Sequence, residues 1–304
     1  MLQIIAAILP VFLLIFLGVW LRARGFPGDG FWGPAERLTY FVLFPVLIVT
    51  TLAKADLAGL SVLPMAAGIV TTLVTMTVLL VALRHYLGVD GPGFTSLVQG
   101  AIRMNTYICL AIAAALWGHA GVSVAAIVVA VMVPTVNVLS VTVLARFGTQ
   151  GQPSPGRVLK QLVTNPLIVA AVGGVLLNVS GLRLPPVIGP MLEILGRAAL
   201  PLGLLAVGAA LDFRAARANA RLIAQNTLTK LALTPAIAAV ILWAFGVEGL
   251  TASVALLFLA SPTATSSYIL ARQLGGDAVL MAGILTAQTG AAMITLPVVL
   301  TLAG

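Results

Sequence analysis

Apolar residues run through this chain in ten long stretches, separated by short pieces that are polar or rich in glycine and proline. A helix crossing a bilayer needs about 20 mostly apolar residues, and the stretches are close to that length. They predict spans over residues 3–21, 38–53, 61–83, 95–117, 122–145, 162–179, 191–211, 222–245, 251–271 and 278–302. No connecting piece is long enough to fold as a soluble domain. The longest, from Arg146 to Gln161, is rich in Gly, Pro and polar residues and falls at the middle of the chain. The expected organisation is a five-helix unit over residues 1–148, a central loop over 149–161 and a second five-helix unit over 162–304.

Landmarks recur between the two halves. Pro10, Gly18 and Gly25 are matched by Pro166, Gly174 and Gly181, 156 residues on. Pro45 and Asp56 are matched by Pro201 and Asp212 at the same offset. Asn105-Thr106 in span 4 stands opposite Ser261-Pro262 in span 9 at that offset, and Gly118 matches Gly275 at 157. An odd number of spans per copy forces the second copy to insert upside down, the inverted repeat of many secondary transporters. The predicted fold is therefore all-α and polytopic: ten transmembrane helices in two inverted five-helix repeats, with helices 4 and 9 as broken, crossing elements.

Composition agrees with a chain that faces lipid. Of 304 residues, 61% are hydrophobic and only 8% charged, where a soluble domain carries about a quarter charged. The mean hydropathy is +1.14. The first apolar run starts almost at Met1 without a basic segment before it, so it is expected to be a span and not a cleaved signal. The net charge of +8 comes from basic residues that lie singly or in small groups between the apolar runs, which argues against nucleic acid. Arg22, Arg24, Arg37, Arg84, Arg146, Arg157, Lys160, Arg214, Arg217, Arg221 and Arg272 fall in loops on one side, against Lys54, Arg183 and Arg197 on the other. The positive-inside rule then makes the central loop cytoplasmic and places both termini outside the cytoplasm. The single cysteine, Cys109, sits in an apolar run and is expected to be a small packed core residue.

Chemistry concentrates at one repeat position. Span 4 carries Arg103, Asn105 and Thr106. Polar and ionisable groups at membrane depth face a cavity or the bundle interior. Span 9 carries Ser261, Pro262, Thr263, Thr265, Ser266 and Ser267. A proline there removes a backbone donor and clashes with the preceding turn, and the hydroxyls can serve the freed groups or a ligand. A helix broken inside the membrane exposes N–H groups on one half and carbonyls on the other, tolerable only around water, protein or substrate. The alternative is that these Ser and Thr bond back to their own helix. Asn137 in span 5 is a mid-span amide, equally suited to ligand contact or to bonding between helices. Gln288 and Thr289 in span 10 are weaker candidates of the same kind. Lys230 is expected to reach the cytoplasmic edge along its apolar stem. His85 and His119 are expected in solvent, and Asp56 and Asp212 as caps at span ends. There is no phosphate-binding Gly-rich loop, no metal-ligand motif and no nucleophile–histidine pair within the spans, so an enzyme, a resident cofactor and a metal site are not expected. Paired intramembrane carboxylates of a dedicated cation site are not evident either.

Leu9-Pro-Val-Phe-Leu-Leu-Ile-Phe-Leu-Gly18 with Arg22, Phe44-Pro45, Arg103-Met-Asn-Thr106, Pro134-Thr-Val-Asn137, Asn165-Pro166, Ala199-Leu-Pro-Leu-Gly203 and Ser261-Pro-Thr-Ala-Thr-Ser-Ser267 follow one another along nearly the whole chain. In that order they resemble the auxin efflux carrier family, and the short central loop is like its bacterial members. The resemblance implies ten helices with spans 4 and 9 crossing at broken centres, similar in plan to sodium–proton antiporters and bile-acid transporters. It also implies a secondary carrier, in a bacterial inner membrane, for small organic anions such as dicarboxylates or auxin-like acids. Asn105, Asn137 and Pro262 match its substrate-region residues; only span 9 carries a proline at the break. The expected substrate-binding set is Arg103, Asn105, Thr106, Asn137, Ser261, Pro262, Thr263, Thr265 and Gln288. The expected partners are the anion and the lipid bilayer. Proton or sodium coupling, a homodimer, and a non-transporting membrane receptor stay open.

Overall fold

The structure, a computed structural model, describes residues 1–55, 61–149, 156, 160, 163–182 and 184–303. Asp56, Arg157, Arg183 and most of the central loop lie outside the described residues, so Asp56 as a cap goes without a structural counterpart. Every regular element among the described residues is a helix. Seven helical stretches are long and apolar enough to cross a bilayer, or eight if the bent pair Gly249–Ala260 and Thr265–Leu274, which turns through 49°, counts as one span.

In chain order the helices are α1 (Leu2–Ala23), α2 (Asp29–Leu38), α3 (Phe44–Leu52), α4 (Val62–Ala82), the single turn α5 (Arg84–Leu87), α6 (Gly91–Ile102) and α7 (Thr106–Phe147). After the central loop come α8 (Pro166–Ser180), α9 (Ile188–Ala209), the single turn α10 (Ala215–Ala218), α11 (Ala220–Leu228), α12 (Thr234–Ala244), α13 (Gly249–Ala260), α14 (Thr265–Leu274) and α15 (Ala278–Ala303).

Three departures from the hydrophobic pattern have local causes. The second span starts at Asp29, nine residues before the apolar run, because Asp29-Gly-Phe-Trp-Gly-Pro-Ala-Glu-Arg is helical but too polar for a hydropathy threshold. Spans 4 and 5 merge into one run, Gly91–Phe147. Inside α7 the helix kinks at Gly118, whose φ of 56° and ψ of −140° suit a residue without a Cβ. The sixth stretch forms only the 15-residue α8, started by the Asn165 side chain, which accepts from Leu167 N and Ile168 N at 3.0 and 3.4 Å.

Two π-helical turns, Thr39–Leu43 and Thr229–Leu233, join α2 to α3 and α11 to α12. Each is followed at the second position of the next helix by a proline, Pro45 or Pro235. A proline ring cannot donate and crowds the carbonyl four residues back, so the preceding turn widens. Thr234 Oγ1 donates to Thr229 O at 2.9 Å across the second bulge.

The helices pack in two groups. Helices α1, α3, α8 and α9 pack chiefly on one another, while α4, α6, α7, α11, α12, α13, α14 and α15 form the second group. In the first group the closest approaches use glycines: a Cβ at Gly18 would lie 2.2 Å from Leu205 O, and one at Gly174 would lie 2.8 Å from Leu52 Cβ and 3.2 Å from Val49 Cα. On the face where α3 ends and α9 begins, Lys54 and Glu193 form an ion pair. At the far end of α9, Arg22 donates to Ala209 O.

Candidate functional site

The site lies where the second group's two interrupted helices meet. Helix α6 is started by Asp90, whose Oδ1 accepts from Gly93 N at 2.8 Å, and stops at Ile102. Arg103 then takes an extended backbone, φ −80° and ψ 158°. Asn105, also extended, caps α7: its Oδ1 accepts from Tyr107 N and Ile108 N at 3.1 and 3.2 Å. Helix α13 stops at Ala260, Ser261 and Ala264 are extended, and α14 begins at Thr265. Span 4 is thus interrupted without a proline; the Asn105 cap and the extended Arg103 do there what Pro262 does in span 9.

The two interruptions touch. Asn105 N donates to Pro262 O at 2.8 Å, so the donor left over by one break satisfies an acceptor left over by the other. Gln288 on α15 holds both. Its Oε1 accepts from Thr263 N at 2.9 Å, and its Nε2 donates to Gly100 O at 3.1 Å and to Asn226 Oδ1 at 3.0 Å. Asn226 in turn donates to Leu97 O at 2.7 Å, and a Cβ at Gly100 would meet Asn226 Oδ1 at 2.2 Å. Thr263 Oγ1 lies 2.9 Å from Ser267 Oγ and 3.4 Å from Gln99 O. Ser261 Oγ donates back to Phe258 O at 2.9 Å. Ser261, Pro262, Thr263 and Gln288 therefore build the crossing from behind, and none of them lines the cavities described next.

Two adjoining cavities, of about 290 and 230 Å³, open beside the crossing and share Tyr40, Thr106, Leu167, Ala264, Ser266 and Ile269 in their walls. The first is also lined by Glu36, Arg37, Asn105, Tyr107 and Thr265. The second is lined by Arg103 and Asn137. Of the expected site residues, Arg103, Asn105, Thr106, Asn137 and Thr265 are thus brought to one place.

Arg103 is 8% exposed. It donates through Nη1 to Asn137 Oδ1 at 3.0 Å and through Nη2 to Ser266 Oγ at 3.0 Å. Among the described residues its Nε has no partner, and the ion pair between Lys54 and Glu193 is the only one. Asn137, a mid-span amide suited to ligand contact or to bonding between helices, is therefore one of the groups that orient the guanidinium. Other polar atoms near the crossing are buried without partners among the described residues: Oε1 and Nε2 of Gln99, and Asn105 Nδ2.

Glu36 and Tyr40 were not among the expected site residues. Both lie on the second span, which the hydropathy pattern starts at Leu38. Glu36 Oε1, on α2, accepts from Thr265 Oγ1 at the start of α14 at 2.7 Å. Tyr40 accepts at its hydroxyl from Asn165 Nδ2 at 3.1 Å. Phe44 stacks on Tyr107, centroids 4.7 Å apart at 27° between planes, beside the capped start of α7.

Lys230 does not reach an edge. It is fully buried, at 0% exposure, with no partner for Nζ among the described residues. The reason is its place in the π turn before Pro235, which turns Lys230 and Leu231 toward α15 and α6 and leaves Leu233 on the outside. Cys109 is buried and free, His85 and His119 are exposed, and Asp212 caps the turn after α9 by accepting from Arg214 N and Ala215 N at 2.9 and 3.0 Å.

A family model described as membrane transport protein matches residues 3–300. The chain is also similar to an uncharacterized transporter of Methanothermobacter thermautotrophicus, 29% identical over 298 residues that cover 95% of each chain.

Proposed function

We propose, from the premise that the chain belongs to the membrane transport protein family, which is that of the auxin efflux carriers, that this multi-pass transporter carries small organic anions out of the cell. The observation that carries the substrate class is Arg103. A guanidinium buried beside two cavities, oriented by Asn137 and Ser266 but with no carboxylate against it, is costly at membrane depth. An anion in the cavity supplies the missing charge. The family resemblance adds dicarboxylates and auxin-like acids as the chemical range.

Ten spans follow when the Gly91–Phe147 run is divided at Gly118, and the short α8 and the bent pair each cross once. Two contacts support an inverted repeat. Gly18 packs on Leu205, and Gly174 packs on Val49; moving Gly18 up and Leu205 down by 156 residues turns the first pair into the second. Gly118 and Gly275, matched at 157, both take positive φ. By the charge asymmetry of the loops, both termini lie outside the cytoplasm, in the inner membrane of a bacterium. The cavities, flanked by Glu36 and Arg37 near the basic loop after α1, then open inward, and the Phe44–Tyr107 stack closes the way out. Alternating access rocks the first helix group against the crossed-helix group. An inside-negative potential favours anion export by about 2.3 kcal/mol per charge per 100 mV, so export needs no coupling ion.

The test is flux of malonate and indole-3-acetate from proteoliposomes. Asn105→Ala and Pro262→Ala should each cut it severely; normal flux in both would sink the site. A second reading, proton-coupled transport on the same plan, is favoured by Lys230, buried without a partner in the second helix group. Flux driven by an imposed pH gradient, and lost in Lys230→Met, would support that version.

A further inference from the structure

The cavity carries a second charge that a simple anion site would not want. Glu36 lines the first cavity together with Asn105, Thr106 and Thr265. Its carboxylate is held by Thr265 at 2.7 Å, while the Arg103 guanidinium is held by the next residue, Ser266, at 3.0 Å. Neighbouring Cα atoms are about 3.8 Å apart, so the two charges stand within roughly 14 Å of each other once side-chain reach and hydrogen bonds are allowed for. They are nonetheless not paired with each other, nor is Glu36 paired with Arg37, which is exposed at the same cavity. Opposite charges facing joined cavities and left apart make a site with a positive and a negative end.

We propose that this site selects an acid that is anionic at one end and a hydrogen-bond donor at the other: a carboxylate for Arg103 and an N–H, best an ammonium, for Glu36. This rests on the carrier reading above and narrows it. A zwitterion of three or four heavy atoms between its charges, with a hydrogen bond of about 2.8 Å at each end, spans a gap of that order. A dicarboxylate of the same length sets its second carboxylate against Glu36. Like charges a few ångström apart in a half-buried site are worth at least about tenfold in discrimination. A site built to accept a donor also rejects substrates lacking one, because its acceptor is then left facing an apolar group. Glu36 is in this sense a specificity-determining residue, and its bond to Thr265 is what the donor displaces or joins.

Three acids built on one three-carbon skeleton separate the cases: 3-aminopropanoate, propanoate and malonate, each followed as flux from proteoliposomes carrying wild type, Glu36→Gln or Glu36→Asp. The expected order in wild type is 3-aminopropanoate first and malonate last. In Glu36→Gln the ratio of 3-aminopropanoate to malonate flux should fall by about tenfold, and Glu36→Asp should keep most of it. Should Glu36→Gln not fold, the wild-type order and Glu36→Asp decide. Malonate carried as well as 3-aminopropanoate by wild type, or a ratio that Glu36→Gln leaves unchanged, overturns the proposal while leaving an anion carrier. Flux of none of the three by folded wild type overturns this proposal; if indole-3-acetate does not cross either, the carrier reading falls with it.

Discussion

Gln288→Leu is the most informative perturbation of the frame. Leucine nearly fills the volume of glutamine, so the change removes hydrogen bonds and leaves little cavity. Three buried partners lose their mate: Thr263 N–H, Gly100 O and Asn226 Oδ1. A buried group left unsatisfied costs about 1–3 kcal/mol, but hydrogen bonds between helices in a membrane average about 0.6 kcal/mol because the loosened chain finds other partners. Three such losses, with partial rescue, should lower stability by about 2–4 kcal/mol. Unfolding in mixed micelles measures it. Because Asn226 shares the network, a cycle with Asn226→Leu should show a coupling of about 1 kcal/mol or more. Carboxylate flux should fall too, although Gln288 lines neither cavity, since it fixes Thr263 beside one break and Gly100 beside the other. A stability loss under about 0.5 kcal/mol, the range of an uninvolved surface position, would refute the claim that Gln288 holds the crossing together.

Other substitutions follow from the same geometry. Gly18→Ala puts a methyl 2.2 Å from Leu205 O and should destabilise by about 1–3 kcal/mol or more, whereas Gly173→Ala, with nothing within 4 Å, should be neutral; melting the two variants side by side checks this. Asn105→Ala removes the cap of α7 and should cost about 1–2 kcal/mol, read in the same assay, with Asn105→Asp recovering part of it. Lys230→Met replaces an unpartnered buried amine with an apolar chain of similar length and should melt no lower than wild type. A marked loss of stability in Lys230→Met would mean that Nζ has a partner worth finding.

Much of this was legible in the residues because it rests on local rules. Pro262 marks a break by its missing donor, and Arg103 marks a polar interior because a guanidinium cannot face lipid. The Gly18 and Gly174 match pointed to equivalent packing before any contact was known. What stayed hidden depends on how helices face each other. Glu36 looked like a loop residue because its helix is too polar to register as a span. Asn105 broke its helix by capping, which has no signature as strong as a proline. Gln288 was visible only as a polar residue in span 10, and which way it turned, toward the back of the crossing and not the cavity, depended on Asn226 and Gly100, far away in sequence. Lys230 misled for a related reason: the π turn before Pro235 rotates its side chain inward, where hydropathy alone suggested an edge.

The central claim is that an organic anion is held at Arg103 beside two touching helix breaks. Counterflow of a labelled carboxylate in proteoliposomes, wild type against Arg103→Gln, tests it most directly. Gln keeps the polarity and lets Asn137 and Ser266 find a partner, so the change removes the charge above all. Truncating one partner of a buried charge pair costs about 2–5 kcal/mol. The half-saturating concentration should therefore rise by about 30-fold or more, with the folded protein unchanged in amount. Saturable exchange in Arg103→Gln at the wild-type concentration dependence would contradict the account.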